Sequence, residues 1–397
     1  MNRTDLGTVA DRYRSALLDD VIPFWMKYSP DREYGGFHTC LDRQGRVYDT
    51  DRFVWLQGRE VWMFSHLYNN IERKQEWLDM ALSGATFLEK HGRDRNGNFY
   101  FSLTRTGKPL IQPYNIFSDC FAAMAFGELF KATGIARYGD IALGTFNNIM
   151  ARSDNPKGIW TKNYPGTRPL KGFSLPMILS NLSGIISDLL DQETVGRIED
   201  SCICEVMTVF YNPDHGAILE NVAPDGSFSD SFEGRLLNPG HAIEAMWFMM
   251  DLAQRRGDSS LAHRATEITV ETLARGWDEQ YGGIFYFLDV KGHPPQQLEW
   301  DQKLWWVHIE TLISLAKGYI LTGDQRCLEW FERVDSYTWS HFPDPEYGEW
   351  YGYLNRRGEV LLPLKGGKWK GCFHVPRGLL QVWKAFSTLE TVKAADK

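Results

Sequence analysis

Histidine, arginine and glutamate recur at nearly one depth along this 397-residue chain. Counted from the preceding turn glycine, Arg59 lies 14 residues on, His241 15, His308 16 and His374 16. Glu244 and Glu310 both lie 18 on, and Asp119 lies 12 on. Imidazole titrates near neutral pH, so a pair of histidines can take a proton from one face of a carbon and return one to the other. A permanently charged arginine can steady the oxyanion that forms in between. Glutamates can orient the imidazoles or hold hydroxyls. Trp55, Trp62, Trp247, Trp305, Trp306 and Phe373 crowd the same levels, which suits a concave polar site with stacking faces for a sugar. Taken singly, a histidine on an apolar helix is more often a satisfied core group; three at one depth shift the balance toward function. Glu60 reads as a structural ion-pair partner. His241 and Glu244 form an H-x-x-E pair, a spacing that can bind metal. No HExxH or second ligand pair accompanies it, so no metal is expected.

A repeat must position these groups. YGGFHTCLDRQG, residues 34–45, returns as NGNFYFSLTRTG, HGAILENVAPDG, YGGIFYFLDVKG and YGEWYGYLNRRG, with a worn copy in PKGIWTKNYPG. The final glycines are Gly45, Gly107, Gly166, Gly226, Gly292 and Gly358, spaced 62, 59, 60, 66 and 66 residues apart. Each copy reads as strand, glycine turn and strand. Between copies, apolar residues at helical spacing predict two helices, as in RFVWLQGREVWMFSHLYNN followed by QEWLDMALSGATFLEKHG. After the sixth hairpin one helix remains, and its partner precedes the first hairpin. A pair split between the ends closes a ring, whereas an open solenoid would end in a capping repeat. The reading is one domain over 1–397, all-α: an (α/α)6 toroid of twelve helices with short β-hairpins at one end. The first helix after each hairpin is the inner one.

NPGHAIEAMWF, KLWWVHIETL, GCFHVPRGLLQ, WLQGREVWMFSHLYN and YPGTRPLKGFSLPMIL together resemble the N-acylglucosamine 2-epimerase family, over nearly the whole chain. The resemblance implies the toroid, interconversion of N-acetylglucosamine and N-acetylmannosamine, a homodimer, and ATP as an allosteric activator that is not consumed. It places the two acid/base histidines on His241 and His374, an essential arginine on Arg59, a site glutamate on Glu310 and a sugar-contacting acid on Glu244; His308 and Arg377 are read as further substrate contacts. The loop YPGTRPLKG, with Gly166, Arg168 and Lys171, offers backbone and cations to a phosphate. An ordinary basic loop is the competing reading, and spacing alone favours it. The related cellobiose 2-epimerases and mannose isomerases carry a further histidine on the third inner helix. That stretch here, SLPMILSNLS, has none.

Composition narrows the rest. A net charge of -8 argues against nucleic acid or an anionic membrane as partner. No stretch has the length of apolar residues a membrane span needs. The first residues lack the apolar core of a signal peptide. Six scattered cysteines suggest neither zinc nor disulfides, which points to a reduced, cytoplasmic setting. Two other classes stay open: a glycosidase on the same toroid, working with two carboxylates, and a non-catalytic protein-binding module.

Overall fold

The computed structural model describes residues 3–164 and 166–395. Helix α1 runs through Arg3–Ser15, a π-helical turn at Ala16–Val21, and Ile22–Tyr28. Five pairs follow. They are α2 (Val54–Asn70) with α3 (Gln75–His91), α4 (Phe117–Thr133) with α5 (Ala136–Ala151), and α6 (Ser174–Ile185) with α7 (Gln192–Cys204). Then come α8 (Pro239–Arg256) with α9 (Ser259–Gly276), and α10 (Trp305–Thr322) with α11 (Gln325–His341). Helix α12 (His374–Ala395) comes last.

The even-numbered helices pack side by side in sequence order and the odd-numbered ones lie outside them. Burial follows from this. In α4 every residue from Ser118 to Leu129 is buried, and in α10 every residue from Trp305 to Ala316. Outer α11 buries one stripe only, with Leu328, Phe331, Val334 and Tyr337 among its members. The split pair meets: α1 packs on α12. Phe373, at the start of α12, meets Trp62 of α2 edge to face, and Lys384 of α12 donates to the Asn70 carbonyl of α2, so the inner ring closes.

The repeated glycines have a backbone reason. All six final glycines have positive φ, between 76° and 87°. In five copies the glycine N–H closes a turn on the carbonyl three residues back, as Gly45 does on Asp42 at 3.0 Å. The strand before an inner helix then pairs with the hairpin of the next repeat, as Arg52–Phe53 does with Ser102–Leu103, and Lys303–Leu304 with Tyr353–Leu354. At the closing seam Asp42 bridges to Leu364.

Side chains reinforce three of these junctions. Asp31, Asp278 and Asp344 stand 14 residues before their final glycines. Each binds the arginine two before the final glycine of the next copy. Asp31 takes Arg105 at 2.7 Å, Asp278 takes Arg356 at 2.9 Å, and Asp344 takes Arg43 across the seam at 2.8 Å.

Candidate active site

The site forms where the N-termini of α8, α10 and α12 come together under the hairpins. NPGH at the head of α8 shows how. Asn238 caps the helix by accepting from the His241 N–H at 3.1 Å, and Pro239 fits the first turn. A Cβ at Gly240 would lie 2.6 Å from the Trp306 ring, so the glycine lets α10 bring that indole close. Trp306 then stands between the two catalytic candidates, its ring 5.2 Å from His241 and 5.8 Å from His374. On α12, a Cβ at Gly378 would lie 2.2 Å from Ile309, and this close approach sets His374 against α10.

Each imidazole is oriented by a carboxylate. His241 Nδ1 lies 3.0 Å from Glu220, and His374 Nδ1 lies 2.8 Å from Glu310. Among the described residues no hydrogen bond engages Nε2 of either ring. Their charge states are driven apart. Burial opposes protonation of His241, but Glu220 beside it prevails and its pKa rises above the ordinary value. Burial, with Arg59 and Arg377 nearby, holds His374 well below the ordinary value despite Glu244. Near neutral pH His374 is therefore a free base and His241 is poised to carry a proton. Two titratable groups pushed apart in this way suit an acid and a base.

Arg59 is buried with no partner at its Nε. Its guanidinium lies 4.0 Å from the Phe121 ring centroid, 4.7 Å from Trp55 and 4.9 Å from Phe373. Burial pushes its pKa down to about 9, still cationic at neutral pH. A charge clasped by rings and short of hydrogen-bond acceptors is placed to receive an anion.

The other sequence candidates need correction. His308 is fully buried and faces away from the axis. Its Nδ1 donates to the Leu304 carbonyl at 2.7 Å and its Nε2 accepts from the Ile284 N–H at 3.0 Å, so both ring nitrogens are spent on its own helix and the hairpin. Gln57 and Asp119 make the same contact with Phe37 and Phe99. Arg377 is at the site but turned to the acids: one Nη reaches Glu244 at 2.5 Å and Glu310 at 2.6 Å. Glu310 is fully buried and saturated, its second oxygen taking the Trp247 indole N–H at 2.8 Å. Its contacts are His374, Arg377 and Trp247. Glu244, 6% exposed, keeps slightly more accessibility than Glu310. Glu60 is no ion-pair partner: it accepts from the Ser29 hydroxyl, and burial raises its carboxyl well above the usual range. Glu244, Glu310 and His374 offer ligand atoms within 4.8 Å of one another, but the Arg377 guanidinium stands among them and supplies the cation. His241 turns to Glu220 and Glu244 to Arg377, so the H-x-x-E pair does not converge on one point.

The loop cations are not assembled either. Lys171 pairs with Glu205 at 2.5 Å, Arg168 lies exposed 3.8 Å from Glu233, and Gly166 serves the turn with φ of 76°. Sequence reasoning missed Glu220. A signal existed: six residues before the final glycine the six copies read Thr39, Phe101, Trp160, Glu220, Tyr286 and Gly352, and only one is an acid.

The toroid is the fold of the (α/α)6 carbohydrate epimerases. The solved cellobiose 2-epimerase of Bacillus thermoamylovorans B4167 shares the fold, with a TM-score of 0.82 and 19% identity over 95% of this chain and 99% of that one. A family model described as N-acylglucosamine 2-epimerase (GlcNAc 2-epimerase) matches residues 35–375. The N-acylglucosamine 2-epimerase of Bos taurus is 43% identical over 91% of this chain and 87% of its own length. That of Homo sapiens is 42% identical over 91% and 86%. This chain belongs to the N-acylglucosamine 2-epimerase family, and it is an isomerase. Among the described residues no helix is long and apolar enough to cross a membrane.

Proposed function

We propose that the chain interconverts N-acetylglucosamine and N-acetylmannosamine by inverting C2. One observation carries the reading: two imidazoles on α8 and α12, each set by a carboxylate at Nδ1 with no hydrogen bond at Nε2 among the described residues, both lie against Trp306, and the buried Arg59 has no hydrogen-bond partner at its Nε among them. The C2 hydrogen is acidic only when C1 is an aldehyde, so the sugar ring opens first. Neutral His374 takes the C2 proton, and the C–H electrons form the C1=C2 bond of an enolate, with the acetamido nitrogen still on C2 and the charge on O1. Arg59 holds the charge that develops on O1. Protonated His241 delivers a proton to the other face, and the roles exchange in the reverse direction. Glu244 holds a sugar hydroxyl.

The amino-sugar specificity is supported by the 42–43% identity to N-acylglucosamine 2-epimerases and by the missing histidine on α6. A glycosidase is disfavoured, because Glu244 and Glu310 share one arginine instead of facing each other across a gap. A protein-binding module has no use for oriented imidazoles. A homodimer and ATP activation complete the proposal on the family's resemblance. Lys171 and Arg168 would have to leave their acids to take a phosphate.

The test is proton NMR with N-acetylglucosamine in D2O, with and without ATP. N-acetylmannosamine deuterated at C2 is the expected product. The absence of both a new epimer and exchange at C2 would overturn the reading. An ATP-independent rate would remove the nucleotide.

A further inference from the structure

Glu349 is the only non-glycine residue with positive φ, 55°, among the described residues. Its counterparts in the first and fifth copies are Gly36 and Gly283, with φ of 68° and 74°. Glycine takes that backbone freely, whereas a side chain there is strained. This copy nevertheless carries a glutamate, and it is fully buried. Buried charge beside local strain calls for a return elsewhere.

The partner is Lys370, itself almost completely buried, whose Nζ meets the Glu349 carboxylate. The same Nζ donates to the Lys365 carbonyl at 2.8 Å. Lys365, fully buried too, donates to the Glu349 carbonyl at 3.2 Å and pairs with Asp344 at 2.9 Å. Asp20 of α1 accepts from the Glu349 N–H at 3.1 Å. The segment 365–373 is thus pinned to hairpin six and the first helix by a knot of buried charges.

That segment leads straight into the site. Four residues after Lys370 comes His374. Phe373, at the position before the helix, has no side-chain oxygen with which to cap α12, and its ring lies on the Arg59 guanidinium. The Lys368 carbonyl accepts from Trp55, which covers another side of Arg59. Phe373 thus leaves the start of α12 to be held by the segment before it, which the knot fixes.

We infer that Glu349 and Lys370 are a positioning pair that sets His374 on Glu310 and Phe373 on Arg59. The inference rests on His374 being the base. The test compares Glu349→Gly, Glu349→Gln and the apolar double variant Glu349→Met with Lys370→Met. Turnover is measured well below the melting temperature, alongside the ring N–H resonances of His374. The glycine variant removes the strain, so a merely structural pair would leave turnover intact. The positioning pair predicts a fall in kcat of about tenfold to a hundredfold with KM little changed. It also predicts loss of the low-field Nδ1–H signal from the contact with Glu310, and partial rescue by Gln, which still accepts from Lys370. Wild-type kcat and an unchanged His374 signal in a folded variant would overturn it. So would failure of all the variants to fold, which would make the pair a fold element. The resonance is read without turnover, so a wrong substrate and a wrong positioning pair give different results.

Discussion

Two steps along a helix turn a side chain through about 200°. That rotation separates His308 from Glu310. The first points outward and accepts the Ile284 N–H; the second points to the axis and orients His374. Gln57 and Arg59 repeat the relation, as do Asp119 and Phe121. Counting depth from the turn glycine found the right turn of each helix but not the side. The acceptor role could have been read from Gln57, since an amide and an imidazole in one repeat position share only hydrogen bonding. His308→Gln is therefore expected to keep turnover. His308→Ala leaves the Ile284 N–H unmatched and should lose about 1–3 kcal/mol of stability without changing kcat at low temperature. The pH dependence sharpens this. Burial pushes the His308 pKa down to about 3, below its ordinary value of 6.5. The native ring stays neutral while the unfolded one charges. Stability is full above pH 6.5 and falls as pH drops from there toward 3. A single such group gives a slope of about 1.4 kcal/mol per pH unit. Denaturant titrations between pH 4 and 6 should show that slope reduced by one proton in the glutamine variant. An equal slope would return His308 to the list of site candidates.

The hairpins were legible because their backbone leaves one residue type. A final glycine at φ near 85° tolerates no substitute cheaply, so it survives in all six copies while the strands around it drift. The helices were legible from periodicity, and the split pair from counting. Glu220 stood out only as the one acid at its repeat position, and its role depends on a contact between hairpin four and α8 that this oddity does not reveal. The loop at Gly166 misled, since cations near a glycine look alike in sequence whether or not acids already hold them. Two glycines of one hairpin allow a test of the turn argument. Gly97 and Gly107 share a φ of 85°. A Cβ at Gly97 meets open space, whereas one at Gly107 would lie 2.3 Å from the His91 ring. Gly97→Ala should cost only the backbone strain, about 1–2 kcal/mol. Gly107→Ala should cost about 1–3 kcal/mol more from overpacking. Thermal melts of the two variants check the difference, and equal melting temperatures would refute the steric part.

At the scale of the molecule, the aspartate–arginine clasps are unevenly placed. They join copies five to six, six to one and one to two, and thus flank the seam where the chain's two end helices meet. Across the ring the series lapses: the positions 14 before the final glycine are Arg93, Arg152 and Asn212 in the second, third and fourth copies, and the positions two before Gly166, Gly226 and Gly292 are Tyr164, Pro224 and Val290. The third repeat also holds the shortest inner helix, the 12 residues of α6. Local stability follows such differences in packing and hydrogen bonding. A ring has no free end from which to fray, so its first opening must be a breach in the circumference. The clasps put that breach opposite the seam. Native-state hydrogen exchange should release the amides of α6 and α7 ahead of those of α1 and α12, with α4 and α8 between them. Uniform protection around the ring would show that the clasps add nothing. The join that looks weakest on paper, where two distant parts of the chain must find each other, would then be the last part of the circle to let go.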